Sequence, residues 1–293
     1  MTAERQLAQA QELAARLPPL LAAAERVAAS LAGGAHGRRR AGSGETFWQY
    51  RRAQPGDSAS SIDWRRSARG QGLYVRETEW SAAQGIWLWA DASASMDWHS
   101  QAGLPSKRDR ARLLVLALAA ALLRGGERVA LLDGESGPSS GAGALPRLAG
   151  QMLNAPATTT LPSPRLRPRH GEMVLVSDFL HPLDAIAAAL AALAAQGGSG
   201  HLLQVLDPAE ESLPYAGRIR FAGLEGEDEL LVRRAEDLRP QYQERLRRHR
   251  DGVAAIAAAQ GWSFAVHHTT QPPQHALLAL HARLALPRRG NGT

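Results

Sequence analysis

Ile86-Trp87-Leu88-Trp89-Ala90-Asp91-Ala92-Ser93-Ala94-Ser95-Met96 is the stretch from which the fold of this chain can be worked out. Its first five residues are wholly apolar, which is typical of a strand buried on both faces of a parallel sheet. The apolar run stops at Asp91, and hydroxyl groups follow at Ser93 and Ser95. This alternation can turn one carboxylate and two hydroxyls towards a common point. All three are hard oxygen ligands that suit Mg²⁺ or Mn²⁺.

The pattern Asp-x-Ser-x-Ser after a buried strand resembles the metal-ion-dependent adhesion site (MIDAS) of von Willebrand factor A (vWA) domains. A plainer interpretation is also open, in which Ser93 or Ser95 caps the next helix. A second acid at the end of a neighbouring strand would favour the metal site.

Such an acid follows the apolar run 173–177, at Asp178. In open parallel sheets, ligands bind at the carboxyl ends of strands where the strand order reverses. If the strand order resembles that of vWA domains, Asp91 and Asp178 face each other there. The alternative for Asp178 is again a helix cap. The resemblance also implies a threonine ligand between residues 134 and 171. The candidates for this ligand are Thr159 and its neighbours Thr158 and Thr160, and the sequence does not distinguish among them.

The composition bounds the class of protein. The chain has 293 residues, a net charge of +6 and no cysteine, which excludes disulfides and cysteine-based metal sites. Its basicity is carried by arginine, since Lys107 is the single lysine, and nucleic acid is not the expected partner. Apolar runs such as 113–123 are shorter than the ~20 residues that span a bilayer. No signal peptide is visible, so we expect no transmembrane segment and a cytoplasmic protein.

A basic segment precedes the deciding stretch. Between Arg38 and Arg76 there are nine arginines against three acids, with aromatic residues that include Phe47, Trp48, Tyr50 and Trp64 among them. This is either a solvated basic face or a docking surface, because Trp, Tyr and Arg dominate binding hot spots. The segment contains, in order, Gly-x-Gly-x-x-Phe (42–47), Arg-x-x-x-Pro-Gly-Asp (51–57), Ile-Asp-Trp-Arg-x-Ser-Ala-Arg (62–69) and Val-Arg-Glu-x-Glu (75–79).

Together with Asp-x-Ser-x-Ser-Met, this ordered set is similar to the bacterial family catalogued as domain of unknown function 58. The resemblance implies a vWA-like domain behind a family-specific basic segment. Members are often encoded beside MoxR-type AAA+ ATPases and are thought to act with them as adaptors or assembly factors. The motif residues expected to bind partners are Arg51, Asp57, Asp63, Trp64, Arg65 and Arg69.

The expected fold class is α/β, with a vWA-like (Rossmann-like), mainly parallel sheet flanked by helices. The expected divisions are N-terminal helices (1–35), the basic segment (36–83), the vWA-like domain (84–286) and a disordered tail (287–293). Helices are predicted over 107–124, with Ser106 as N-cap, and over 145–153, 179–195 and 239–260. Residues 134–171 show neither the edge strand nor the further full helix that many vWA domains have.

We therefore expect a non-enzymatic adaptor, in which a metal with an open position accepts a partner's carboxylate. The partners would be a MoxR-type ATPase and unknown client proteins. The alternative is a basic module for an anionic membrane or nucleic acid, with a vestigial metal site. A hydrolase ranks third, because Gly137-Pro138-Ser139-Ser140-Gly141 matches Gly-x-Ser-x-Gly without a strand directly before it or a helix directly after it.

Overall fold

The computed structural model describes residues 19–29, 41–42, 46–54, 58, 62–69, 72–79, 85–155, 161–162, 171–224 and 229–285. Its elements, in chain order, are α1 (19–29), β1 (Ala41–Gly42), β2 (Thr46–Arg52), α2 (Trp64–Ser67), β3 (Tyr74–Glu79), β4 (Gly85–Ala90), a 3₁₀ turn (Ala94–Met96), α3 (Lys107–Arg124), β5 (Arg128–Leu131), α4 (Ala144–Asn154), β6 (Glu172–Ser177), α5 (Leu183–Ala194), β7 (Ser199–Leu206), α6 (Pro208–Ser212), β8 (Ile219–Phe221), β9 (Leu230–Val232), α7 (Ala235–Ala259), β10 (Ser263–His268) and α8 (Pro273–Ala285).

Five parallel strands form the central sheet, in the order β10-β7-β6-β4-β5. The predicted fold class, a vWA-like α/β sheet flanked by helices, is confirmed. From β4 the chain passes outward to β5 and then returns to β6 on the other side of β4. The strand order therefore reverses between β4 and β6, whose register pairs Ala90 with Val176. A crevice at the carboxyl ends of these two strands is where such sheets bind ligands.

Both faces of this sheet are covered, which explains the unbroken apolar run of β4. Ile86 and Leu88 pack into a core with residues of α1, α3, α4 and α8. Trp87 and Trp89 point to the opposite face, where α5 and α7 contribute the covering side chains. Alternation of side chains along a strand produces this division. Since each face meets helices, neither set of side chains needs to be polar.

Helix α3 has the predicted bounds and is buried almost all round. The Ser106 hydroxyl accepts a hydrogen bond from the backbone N–H of Asp109 at 3.0 Å, as expected of an N-cap. The helix ends at Gly125. Its burial fixes the position of Lys107 at the first turn, close to the carboxyl ends of the strands.

Two helices begin four residues away from the predicted position. The helix expected from Phe179 begins at Leu183, because Phe179 has a left-handed φ of 47° and Pro182 is the N-cap. The helix expected from Arg239 begins at Ala235, with Glu236 and Asp237 in its first turn and Pro240 inside it. Acidic side chains at a helix N-terminus are stabilised by the helix dipole. The four residues 179–182 are thereby left as a loop between Asp178 and α5.

The edge of the sheet beside β5 carries a single antiparallel bridge. The backbone N–H groups of Val129 and Ser139 each donate to the carbonyl of the other, at 2.9 and 3.1 Å. Ser139 thus lies in an extended segment, and α4 begins only at Ala144. This is not the strand–turn–helix setting of a nucleophile elbow.

The basic segment contains a separate antiparallel sheet, in the order β1-β3-β2. The helical turn α2 lies between β2 and β3. None of the helices in the described ranges is long and apolar enough to span a membrane.

Candidate functional site

The oxygens of four predicted residues converge at the carboxyl ends of β4 and β6. Ser93 Oγ and Ser95 Oγ lie 3.1 Å apart. Ser95 Oγ donates to Asp178 Oδ2 at 3.0 Å. The Asp91 carboxylate joins the group through its Oδ1 atom, which accepts the backbone N–H of Ser93 at 2.8 Å. The structure therefore brings Asp91, Ser93, Ser95 and Asp178 together in one cluster.

Asp91 is a buried carboxylate, with 1% of its surface exposed. Its Oδ2 atom accepts a hydrogen bond from the Ser177 hydroxyl at 2.6 Å. Burial raises the pKa of Asp91 above its ordinary value, although the hydrogen bonds from Ser177 and Ser93 oppose that rise. A carboxylate in this setting is stabilised by a nearby cation, because the low dielectric of the interior penalises an unpaired charge.

Lys107 supplies the one ammonium group in the described part of the site. Its Nζ donates to Asp178 Oδ2 at 2.8 Å and to Glu210 Oε1 at 2.5 Å, and the residue is 1% exposed. Burial alone would raise the pKa of Asp178, but Lys107 and the hydrogen bonds hold it below its ordinary value. Burial would lower the pKa of Lys107, but Asp178 and Glu210 keep it raised.

Glu210 is held in place by the capping box of α6. Its Oε2 atom accepts the backbone N–H of Asp207 at 2.9 Å, and Asp207 caps the helix by accepting from Ala209. Burial raises the pKa of Glu210, against the opposing effect of Lys107. Lys107 thus pairs with Asp178 and Glu210, whereas the side chain of Asp91 accepts hydrogen bonds from Ser177 and Ser93. With all three carboxylates ionised, these four side chains carry a net charge of −2.

His181 adds a nitrogen ligand to the cluster. One possible ligand atom from each of Asp91, Asp178 and His181 lies within 4.8 Å of the others. Both ring nitrogens of His181 are buried and without a hydrogen-bond partner. The left-handed backbone at Phe179 lies in the loop that carries this ring. A non-glycine residue in that conformation is strained by about 1–3 kcal/mol, which is often found at functional sites.

These residues fit a hard divalent cation. In an octahedral shell with ligands at 2.0–2.1 Å, adjacent ligands lie roughly 3 Å apart. The two hydroxyls of Ser93 and Ser95, and the Ser95–Asp178 pair, have this separation at 3.1 and 3.0 Å. Two uncompensated negative charges match the charge of one Mg²⁺ or Mn²⁺. The carboxylates and hydroxyls suit Mg²⁺ or Mn²⁺, whereas an imidazole such as that of His181 is a better ligand for the later transition metals than for Mg²⁺.

The structure does not place the other predicted site residues in this cluster, and two of those positions are not described. Thr159, with Thr158 and Thr160, lies outside the described residues, as does Asp57. Arg51 lies in β2 of the small sheet. Trp64, Arg65 and Arg69 are exposed on α2 and the turn after it, Trp64 by 60%.

Asp63 has a local structural role. Its side chain caps α2 by accepting the backbone N–H of Arg66 at 2.9 Å. Its backbone carbonyl accepts the Ser67 hydroxyl at 2.8 Å.

Sequence reasoning missed Lys107, His181 and Glu210. For Glu210 the signal was the helix-start pattern Asp207-Pro-Ala-Glu. For Lys107 the signal was its uniqueness: it is the one lysine in a chain whose other Lys/Arg positions are all arginine, and it lies in the first turn of a predicted helix. An ammonium can donate in three directions to carboxylates on separate elements, whereas the guanidinium of arginine is a planar fork.

The fold and this cluster together define a vWA-like α/β module. A model of the family described as protein of unknown function DUF58 matches residues 49–252, more than half of the chain. The chain belongs to this family. No curated protein matches the sequence.

Two bacterial proteins are among the solved structures that are similar to the chain. One is an aerotolerance-related membrane protein from Bacteroides fragilis carrying multiple mutations to serines, at 14% identity and a TM-score of 0.42. It covers 69% of this chain and 98% of its own. The other is the conserved hypothetical protein BatB from Bacteroides thetaiotaomicron, at 15% identity and a TM-score of 0.41, with the same coverage of 69% and 98%. Both are too distant to transfer the role of any residue.

Proposed function

We propose that this protein is a non-enzymatic adaptor that binds partner proteins through a divalent cation, Mg²⁺ or Mn²⁺, held at the ends of β4 and β6. The observation that carries the proposal is the convergence of the oxygens of Ser93, Ser95 and Asp178 at spacings of about 3 Å, with Asp91 in the same group, a carboxylate oxygen of which lies within 4.8 Å of one from Asp178. These residues follow two neighbouring strands, β4 and β6, between which the strand order of the sheet reverses.

Each residue has a definable part in holding the cation. The hydroxyls of Ser93 and Ser95 would be neutral ligands, and Asp91 and Asp178 would supply the negative charge. Arg108 stiffens the loop, since its guanidinium donates to the carbonyl oxygens of Ala92 and Ser93 at 3.4 and 2.9 Å. A bound cation would supply an open position for a carboxylate of the partner.

Calorimetry tests the metal directly. We expect Mg²⁺ or Mn²⁺ to bind the wild-type chain with one site, and Asp91→Ala to abolish that binding. Asp251→Ala is the matched control, because Asp251 is 65% exposed on α7. Equal heats of binding for Asp91→Ala and wild type would contradict the proposal.

We further propose that the partner is a MoxR-type AAA+ ATPase, as the family resemblance implies, and that the pair acts on client proteins. The exposed side chains of Trp64, Arg65 and Arg69 are suited to a contact with an acidic surface of such a partner. Trp64→Ala with Arg65→Ala should weaken binding of a purified MoxR-type ATPase at least tenfold. Arg248→Ala, which removes an arginine that is 76% exposed on α7 outside the basic segment, should leave it unchanged.

The exposed arginines of α2 also support a second candidate, a basic module for an anionic membrane or nucleic acid. Such binding falls steeply with salt because it depends on counterion release. Binding of anionic vesicles or DNA that is lost between 50 and 200 mM salt and unaffected by EDTA would favour this function over the adaptor.

A further inference from the structure

A cavity of about 610 Å³ opens beside the candidate metal site. It lies among α6, α7 and the β8–β9 hairpin, and its walls are mainly apolar. They include Trp98, Leu213, Phe221, Leu230, Leu238 and Tyr242. Burial, together with nearby Glu210, raises the pKa of Tyr242 to about 12, as expected of a phenol in a poorly solvated wall. Volumes of roughly 300–1,000 Å³ with apolar walls are typical of ligand-binding pockets.

The cavity and the candidate metal site share residues. Ser95, Lys107 and Glu210 line the cavity. Ser95 and Lys107 both donate to Asp178 Oδ2, at 3.0 and 2.8 Å. A partner's carboxylate that binds the cation beside Asp178 would therefore have this apolar space next to it. Consecutive Cα atoms of an extended segment are 3.8 Å apart, so the side chain next to that carboxylate in the partner's sequence can reach the cavity.

The rim of the cavity extends the apolar surface outward. Leu180, Leu224 and Leu230 line it and are 42%, 50% and 58% exposed. A small molecule inside the cavity would leave these side chains in water. Contiguous exposed apolar side chains around a pocket are instead typical of a surface that another protein covers.

We infer that this cavity is a specificity pocket for a protein partner, and that it takes a bulky aliphatic or aromatic side chain next to the partner's acidic residue. The acidic side chain completes the coordination shell of the cation, and the apolar side chain fills the cavity. This inference rests on the proposed metal-dependent function for the acid, whereas the apolar pocket stands on its own lining and rim.

Four acetylated and amidated octapeptides serve as probes. They share Gly and Ser flanks and carry Phe-Asp-Phe, Phe-Asn-Phe, Ser-Asp-Ser or Ser-Asn-Ser at the centre. We expect the Phe-Asp-Phe peptide to bind the Mg²⁺-loaded protein about tenfold or more tightly than Ser-Asp-Ser, because one aromatic side chain is transferred from water. Equal affinities of these two peptides, or no binding of any peptide at 1 mM, would overturn the inference.

Variants of the rim locate the contact. Leu224→Ser with Leu230→Ser should weaken binding of the Phe-Asp-Phe peptide about tenfold while leaving Mg²⁺ affinity unchanged, and both residues are exposed enough for the fold to tolerate the change. Leu278→Ser is the control, since Leu278 is 49% exposed on α8 and does not line the cavity. Unchanged peptide binding in the rim variant would overturn the pocket.

The remaining outcomes separate the two proposals. A preference for Phe that survives EDTA and depends on the rim would support the pocket and contradict the metal-dependent function. A requirement for Mg²⁺ and Asp without any preference for Phe would do the reverse. If N-acetylphenylalaninamide binds as tightly as the Phe-Asp-Phe peptide, the cavity belongs to a small ligand and the protein partner is excluded.

Discussion

Ser95 Oγ donates a hydrogen bond to Asp178 Oδ2 at 3.0 Å, and this contact joins the loop after β4 to the end of β6. The same carboxylate oxygen accepts from Lys107, so the orientation of Asp178 is fixed from two sides. A hydroxyl that fixes a ligand, or is itself one, is expected to matter more for metal affinity than for stability.

Ser95→Ala tests this expectation. It should lower the affinity for Mg²⁺ about 10- to 100-fold, the usual effect of removing a group that orients a metal ligand. The free energy of unfolding should fall by about 1–2 kcal/mol, for the lost hydrogen bonds with Ser93 and Asp178. Calorimetry and urea unfolding measure the two quantities. Ser100→Ala is the matched control, because the Ser100 hydroxyl is buried without a partner; an equal loss of affinity there would contradict the prediction.

Lys107→Met should destabilise the fold strongly. Removing the ammonium leaves the buried carboxylates of Asp178 and Glu210 without a cation, and breaking such a pair from one side typically lowers the free energy of unfolding by about 3–5 kcal/mol. Urea unfolding measures it, and saturating Mg²⁺ should stabilise this variant more than wild type. Arg124→Met is the control, since its pair with Glu25 is about half exposed and should contribute less than about 1 kcal/mol. A wild-type midpoint for Lys107→Met would refute the account.

Stability should fall as the pH falls from about 6.5 towards 4, because of His267. Burial, with Arg110, His268 and His275 nearby, lowers the pKa of His267 from 6.5 to about 4. Between pH 6.5 and 4 the imidazole of His267 is protonated in the unfolded chain but neutral in the native protein, so protonation favours the unfolded state. Above pH 6.5 the imidazole is neutral in both states and the effect disappears.

Urea midpoints at pH 7.5, 6, 5 and 4.5 measure this slope. The urea midpoint of His267→Gln should depend less steeply on pH than that of wild type, because glutamine does not titrate. Its amide oxygen keeps an acceptor for Arg110, whose Nη1 atom lies 3.3 Å from His267 Nε2. The comparison between the two proteins cancels the contributions of the carboxylates. Parallel slopes would show that His267 is not the titrating group.

Two glycine substitutions should have opposite effects on stability. A Cβ atom at Gly200 in β7 would lie 2.2 Å from the ring of Trp262, so Gly200→Ala should destabilise the fold by at least about 1–3 kcal/mol. Gly150 lies inside α4 with nothing within 4 Å of an added Cβ, so Gly150→Ala should stabilise it by about 0.5–1 kcal/mol. Thermal unfolding measures both, and two changes of the same sign would contradict this reading of the packing.

Local patterns predicted much of the fold, because they act between residues close in the chain. Ser106 and Gly125 bound α3 as expected of a cap and a terminator. The apolar run of β4 indicated a strand covered on both faces, and the two tryptophans that it contains pack on one of them. The adjacency of β4 and β6 followed from the resemblance to vWA domains together with the rule for strand-order reversal.

The remainder of the site depends on contacts between distant residues. Lys107 pairs with Asp178, 71 positions away, and with Glu210, 103 positions away. No periodicity or motif encodes such a pairing, since it arises only when α3, β6 and α6 pack together. The predicted start of α5 was wrong for a related reason. The helix begins at Leu183 because Phe179 has a left-handed backbone, and phenylalanine is not a residue type that predicts this conformation.

The enclosure of Lys107 has a consequence for the chemistry of the whole surface. With the single lysine of the chain 1% exposed, acylating reagents and lysine-directed conjugating enzymes find no ε-amino group on the outside of the folded domain. The rate at which Lys107 is acetylated would therefore measure how often the structure around it opens. Lys107 would serve as a reporter of this opening without an added label.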